Sequence, residues 1–316
     1  MSSSASSIPP TAEPAAARGE PSGAHWEARL SYVICSTQRS GSTLLGDGLA
    51  STGVAGDPAE YFNVGLGETA QEPPWKHDLS TRPLAEYLPV VVAHGSTPNG
   101  VFGLKLQWWQ LIPLAHRLRE LQGGNASLAE RLARAFPQPR YIWMTRRDKV
   151  RQAVSLFKAK QSHSWHSIVP GRSSAPPVYS FHLIEAAQRQ IIQEEAAWAG
   201  FFDEAGIVPH TVVYEDLVMA YEETIHGVLE YLEIPLPEGV VIPAPRLRKL
   251  ADDLSEQWVR RYSVQERRRH RRRLLAGLPV TLFNESLRAT YLAPQLRRTR
   301  GMTVDVLKRI LHTPHR

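Results

Sequence analysis

Short apolar runs alternate with longer stretches of helical periodicity along most of the chain. The runs are SYVICS (Ser31–Ser36), GVFGLKL (Gly100–Leu106), RYIWMT (Arg140–Thr145) and HTVVYEDL (His210–Leu217), each rich in β-branched or aromatic residues, and each predicts a strand. Between and after them, apolar residues recur at helical spacing over Ser42–Ser51, Trp109–Leu121, Ser127–Arg134, Lys149–Lys160, Phe181–Ala205 and Ala220–Leu232. Strands alternating with helices pair in parallel through right-handed crossovers, so the expected fold class is α/β with a mainly parallel central sheet flanked by helices. Two stretches dense in Pro, Gly, Ser and His break the alternation, Phe62–Ser96 and Gln161–Tyr179. Both are expected to be lids or binding segments. Beyond Pro235 the chain turns basic and helical without a further strand signal and is expected to pack on the same domain.

Composition narrows this picture. With 316 residues, 42% hydrophobic and 22% charged, the chain can bury a sizeable core without staples. No stretch approaches the roughly 20 apolar residues that span a bilayer. Cys35 is the single cysteine, which excludes an intrachain disulfide, argues against a zinc site built on cysteine spacing, and fits a reducing cytoplasm. Residues 1–28, rich in Ser, Ala, Pro and Gly and without an apolar signal-peptide core, read as a disordered tail. Residues 29–262 are expected to form the working domain and 263–316 a basic helical extension.

The net charge of +6 is unevenly spread, because Arg260–Arg273 carries eight arginines in fourteen residues. Such a run is either a solvated basic helix or an attractor of nucleic acid, anionic lipid or a phosphorylated cofactor.

The candidate chemistry starts at STQRSGSTLL, where the first predicted strand passes through a loop of small residues into a helix. Backbone N–H groups of Ser40–Thr43 and the helix dipole then converge, which is a recipe for binding an oxyanion. The Walker A pattern fails here for want of its lysine and its first glycine, and the dinucleotide fingerprint fails for want of glycines. Arg39 stands where a catalytic cation would. A second strand ends at Arg146, Arg147 and Asp148, and the following helix carries Ser155. A guanidinium fork with a hydroxyl suits a terminal phosphate. Two anion sites at two strand ends point to one ligand with two phosphates.

These segments resemble the sulfotransferases that use 3′-phosphoadenylyl sulfate (PAPS), and more narrowly the bacterial trehalose 2-sulfotransferase and related carbohydrate and lipopolysaccharide sulfotransferases. The resemblance runs from about Tyr32 to Tyr262. It is carried in order by SYVICSTQRSGSTLLGDGLASTGVAGDPAEYFN, GVFGLKLQWW, TRRDKVRQAVSLFKAKQSHSW, VVYEDLV and LADDLSEQWVRRY. It implies a P-loop-NTPase-like sulfotransferase fold, PAPS as sulfuryl donor and adenosine 3′,5′-bisphosphate (PAP) as product, with no metal. It gives Gln38, Arg39, Ser40, Gly41, Ser42 and Thr43 to the 5′-phosphosulfate, and Arg146 or Arg147, with Ser155, to the 3′-phosphate. Glu60 matches the family's general base, for which a pKa raised toward neutrality is expected, and Lys105 and Trp108 border the acceptor pocket. Trp165 keeps the family's aromatic position, whereas the neighbouring His163 and His166 are this chain's own and rival Glu60 as base. Trp109, at a helix start, is expected in the core, and Glu215 is expected to tie down a neighbouring loop.

The implied acceptor is a hydroxyl of a carbohydrate, glycolipid or other hydroxylated metabolite. A homodimer and peripheral contact with an anionic membrane surface are the implied partners. Two other classes compete: a nucleic-acid or polyanion-binding protein built on the arginine run, which leaves the Gln38–Thr43 loop unexplained, and a nucleotide kinase, which lacks its lysine.

Overall fold

The computed structural model describes residues 28–63, 83–162, 176–245 and 253–275. Four strands, β1 (Leu30–Ser36), β2 (Val101–Gln107), β3 (Pro139–Thr145) and β4 (His210–Val213), form one sheet in the order β2-β1-β3-β4. All three pairings are parallel, with Ile34 opposite Lys105 on one side and Ile142 on the other. Every residue of β1 and β2 is buried, as a sheet covered on both faces requires.

The alternation of β1 divides the core. Val33 and Cys35 face one layer with Phe102, Leu104, Leu106 and Trp198. Tyr32 and Ile34 face the other with Leu45, Leu49, Val212 and Ile225. The first layer is covered by α2 (Leu84–Gly95), α3 (Trp108–Gln122), α4 (Leu128–Ala135) and α6 (Phe181–Ala205); the second by α1 (Ser42–Ser51) and α8 (Tyr221–Tyr231). A third cluster joins α5 (Lys149–Ser162), α6 and α9 (Asp253–Leu275), where Trp258 lies beside Phe157 and Tyr262 stacks on Phe181.

Three expectations change. The run His210–Leu217 is a strand only as far as Val213 and turns into helix α7 (Tyr214–Met219). Glu215 and Asp216 in the first turn suit a helix N-terminus. The stretch Phe62–Ser96, read as irregular, contains α2. Its internal Pro89 and β-branched run hid the helix, whereas Leu84, Tyr87 and Val91 supply the buried face that holds it. Trp109 is half-buried and it is Trp108 that enters the core, at 9% exposure, edge-on to Trp198 at 5.1 Å. The arginine run lies on α9, which continues without a break past residue 262.

In this strand order the chain leaves β1 toward β2 on one side and leaves β3 toward β4 on the other. The carboxyl ends of β1 and β3 therefore flank a topological switch point, where open α/β sheets place their ligands.

Candidate active site

At the end of β1 the loop Thr37–Gly41 turns sharply into α1. Arg39 holds φ +63°, unusual for a residue with a Cβ, and Gly41, the N-cap of α1, holds φ +102°. Gly41 also has no room for a side chain, since a Cβ would come within 2.5 Å of the Tyr214 ring and 2.9 Å of Met144. The non-glycine strain at Arg39 sits at the first of the two strand ends where the sequence pattern predicts an anion site.

The structure brings the two predicted anion sites together. Arg39 Nε donates to Ser155 Oγ at 3.0 Å, so the loop arginine reaches across to α5. Arg146 Nη1 donates to the Arg39 carbonyl at 3.5 Å, and its guanidinium lies 4.4 Å over the Tyr214 ring. Burial pulls the Arg39 pKa below its ordinary value, and the neighbouring Arg146 charge adds to the shift. Burial likewise lowers that of Arg146. Two desolvated guanidiniums side by side call for an anion. The buried Ser40 Oγ, Ser36 Oγ and Arg146 Nε have no hydrogen-bond partner among the described residues. Glu215 is Arg146's ion-pair partner at 3.8 Å, too far for a hydrogen bond.

The two arginines left open by the sequence have different surroundings. Arg147 is exposed and holds Asp216 through a two-pronged pair, at 2.8 and 2.5 Å. Arg146 points inward, with its side chain 11% exposed. Glu215 ties the turn down, accepting from the backbone N–H groups of Arg147 at 2.9 Å and Asp148 at 3.2 Å.

On the β2 side, Lys105 Nζ lies 3.3 Å from Glu60 Oε1 and donates to Thr43 Oγ1 at 3.0 Å. Glu60 also accepts from Gln110 Nε2 at 2.8 Å and Gln107 Nε2 at 3.4 Å. The pair Gln107 and Gln110 is a helix-start device as well, for Gln110 Oε1 accepts the Gln107 N–H at 2.8 Å. Burial alone would raise the Glu60 pKa, but Lys105 and the glutamine donors outweigh it and the net shift is downward. The expectation of a carboxyl raised toward neutrality is thereby corrected: here Glu60 is ionised across the neutral range.

Gln38 and Thr43 are half-buried and Ser42 is buried on the first turn of α1. Trp165, His163 and His166 lie outside the described residues. Pattern reading missed Gln107, Gln110, Gln152 and Tyr214. Of these, only the spacing of the two glutamines at a strand-to-helix junction carried a sequence signal. A depression of about 410 Å³ beside the end of β3 is lined by Thr145, Arg146, Lys149 and Glu195. Glu195 pairs with Lys149 there at 2.5 Å. No cluster of three metal-ligating side chains occurs among the described residues, and no helix among them is long and apolar enough to cross a membrane.

Fold and site together define an α/β protein with a strained, glycine-capped loop at the switch point of a parallel sheet and an ionised carboxylate beside it. The chain belongs to the Stf0 sulphotransferase family, which it matches over residues 31–265, and is a sulfotransferase. It is 30% identical over 258 residues to the trehalose 2-sulfotransferase of Mycobacterium tuberculosis (strain ATCC 35801 / TMC 107 / Erdman), covering 74% of this chain and 94% of the relative. It is 32% identical over 253 residues to that of Mycolicibacterium smegmatis (strain ATCC 700084 / mc(2)155), covering 73% and 93%. Solved structures with a distant likeness include a sulfotransferase from Alicyclobacillus acidocaldarius, at TM-score 0.41, 12% identity and coverage of 81% of this chain and 99% of that one. Another is the sulfotransferase domain of the Synechococcus PCC 7002 olefin synthase, at TM-score 0.39, 16% identity and coverage of 73% and 83%.

Proposed function

We propose that the protein transfers a sulfuryl group from PAPS to a hydroxyl of a sugar or glycolipid, giving a sulfate ester and PAP, with trehalose as the first acceptor to test. The observation that carries this reading is the bridge made by Lys105 between Thr43 on the oxyanion loop and Glu60. It sets an ionised base next to the place where an anionic donor fits. The names of the two mycobacterial relatives support trehalose.

PAPS supplies an activated sulfuryl group on its 5′-phosphate. The unpartnered Ser40 hydroxyl, the strained glycine-capped turn and the two inward arginines fit a ligand bearing phosphate at both ends. In this reading Gln38, Arg39, Ser40, Gly41, Ser42 and Thr43 hold the 5′ end, where Arg39 and the backbone N–H groups meet the charge that builds on the leaving phosphate. Arg146 and Ser155 hold the 3′-phosphate, and Arg147 braces α7 through Asp216.

Glu60 accepts the proton of the attacking hydroxyl. Lys105 turns its ammonium toward the transferring oxygens, which weakens its hold on Glu60 and makes the carboxylate more basic when the donor is present. Transfer of this kind proceeds by positioning and charge stabilisation, which side-chain cations supply. Lys105, Trp108 and Trp165 border the acceptor. The catalytic unit is taken to span residues 29–262, which include the start of α9. Residues 263–316 are its basic appendage, facing an anionic membrane surface if the acceptor is lipid-linked, and the assembly is a cytoplasmic homodimer.

Titration calorimetry with PAP, followed by mass spectrometry of trehalose incubated with enzyme and PAPS, tests this. Micromolar PAP binding, a sulfated product, and a rate lowered by about 10² to 10⁴ in Glu60→Gln with PAP affinity retained are the expected results. Wild-type protein that does not bind PAP would overturn the donor assignment. PAP binding without sulfation of trehalose would move the search to other acceptors.

A further inference from the structure

Gln152 lies wholly inside the protein, on the face of α5 that meets the oxyanion loop. Its Nε2 donates to the Gln38 carbonyl at 2.8 Å and to Thr37 Oγ1 at 2.9 Å. A peptide carbonyl only accepts, so the amide orientation is fixed by chemistry. The other end of the same amide, Oε1, is buried without a hydrogen-bond partner among the described residues. Leaving a buried amide half satisfied is costly, and an apolar side chain of similar size would fill the space without that cost.

The geometry gives this costly residue a use. In a trans peptide the C=O of one residue and the N–H of the next point in opposite directions. With the Gln38 carbonyl drawn onto α5, the N–H of Arg39 is turned away from α5. That peptide plane is the one leading into the strained φ of +63° at Arg39, a conformation that persists only when its surroundings enforce it. Three residues further along α5, one turn of the helix, Ser155 accepts from Arg39 Nε. The helix thus grips residues 38 and 39 by backbone and by side chain.

We propose that Gln152 is a positioning residue for the donor site: it sets the Gln38–Arg39 peptide plane so that the Arg39 amide joins the anion cradle. This rests on the reading of the loop as the PAPS site.

The test is Gln152→Met, which keeps the length of the side chain and removes both donors. Its PAP affinity is expected to fall at least tenfold and its KM for PAPS to rise, while its thermal unfolding remains cooperative. Affinity within twofold of wild type in a folded Gln152→Met protein would overturn the proposal.

A spectroscopic readout on the full-length protein, labelled with ¹⁵N-arginine, separates positioning from packing. The Arg39 amide, assigned by its disappearance in Arg39→Lys, is expected to shift strongly when PAP is added to wild type and to lose that response in Gln152→Met. If the variant does not fold, the wild-type spectrum decides alone, for an Arg39 amide indifferent to bound PAP refutes the proposal. Wild-type protein that binds no PAP at all brings down the donor reading first and this one with it.

Discussion

Lys105 and Glu60, brought from adjacent positions on β2 and the segment before α2, stand 3.3 Å apart with their charges opposed, and the same ammonium reaches Thr43 on the first turn of α1, beside the Thr37–Gly41 loop. One cation therefore sets both the basicity of the carboxylate and its link to the loop.

The acid limb of kcat/KM follows from this pair. In the proposed mechanism Glu60 acts as the base in its ionised form, and its pKa in the free enzyme lies below the ordinary value of 4.5. Wild-type kcat/KM should stay on its plateau as pH falls to that value, since this profile reports the free enzyme. In Lys105→Met the charge that lowers the Glu60 pKa is gone while burial, which raises it, persists. The acid limb should move to higher pH. A pH series of kcat/KM for both proteins checks this, and a limb that stays put would remove Lys105 from control of Glu60.

Arg146 and Arg147 should respond unequally to truncation. Arg146→Ala removes an inward cation beside Arg39, and PAP affinity should fall tenfold or more. Arg147→Ala removes only a solvent-exposed pair with Asp216, so affinity should change by less than fivefold. Calorimetric titration of both variants with PAP distinguishes them, and the reverse order would hand the 3′-phosphate to Arg147.

Gly41→Ala meets two obstacles at once, a left-handed backbone and a Cβ placed 2.5 Å from Tyr214. We expect a loss of about 1 to 3 kcal/mol in stability from the strained backbone, together with loss of PAP binding. Chemical denaturation beside a PAP titration measures both. Full stability with full binding would show that the turn relaxes freely.

Glu194, on α6, is buried to 9% exposure and burial raises its pKa to about 7, although Gln190 donates to it at 2.8 Å. Its folded-state pKa lies above the unfolded one, so the protonated form is the one folding favours. The associated stability is complete below about pH 4.5 and fades as pH rises through about 7. Glu194→Gln should therefore be more stable than wild type at pH 8, and the advantage should shrink toward pH 5. Thermal melts at the two pH values test the sign, and a variant less stable at pH 8 would refute it.

Much of the architecture was legible because its signals are local. The limits of α1 and α6 coincide with the periodic stretches Ser42–Ser51 and Phe181–Ala205, and the first three strands end within a residue or so of their apolar runs. Helix α2 was not legible because Pro89 and three consecutive valines oppose helix formation locally, and only the packing of Leu84, Tyr87 and Val91 on the core overrides them. The far end of β4 was not legible either: Tyr214 and Glu215 continue a strand-like pattern, but they turn into α7, where they support Gly41 and the Arg147 turn.

The sequence by itself determined the fold class and the family, and it offered the loop Gln38–Thr43, the arginine-bearing end of β3 and the carboxylate at position 60 as candidates. Each of these is written in residues close together along the chain, and their order specifies the family. Only the tertiary structure decided that Arg39 reaches Ser155, that Arg146 turns inward while Arg147 turns out, that Trp108 enters the core ahead of Trp109, and that Glu60 is ionised. Those outcomes depend on contacts between residues 45 to 116 positions apart, brought together by parallel pairing of β1 with both neighbours. Local pattern carries no information about which charges will be buried side by side, and burial beside a particular partner is what sets a side chain's direction and its pKa.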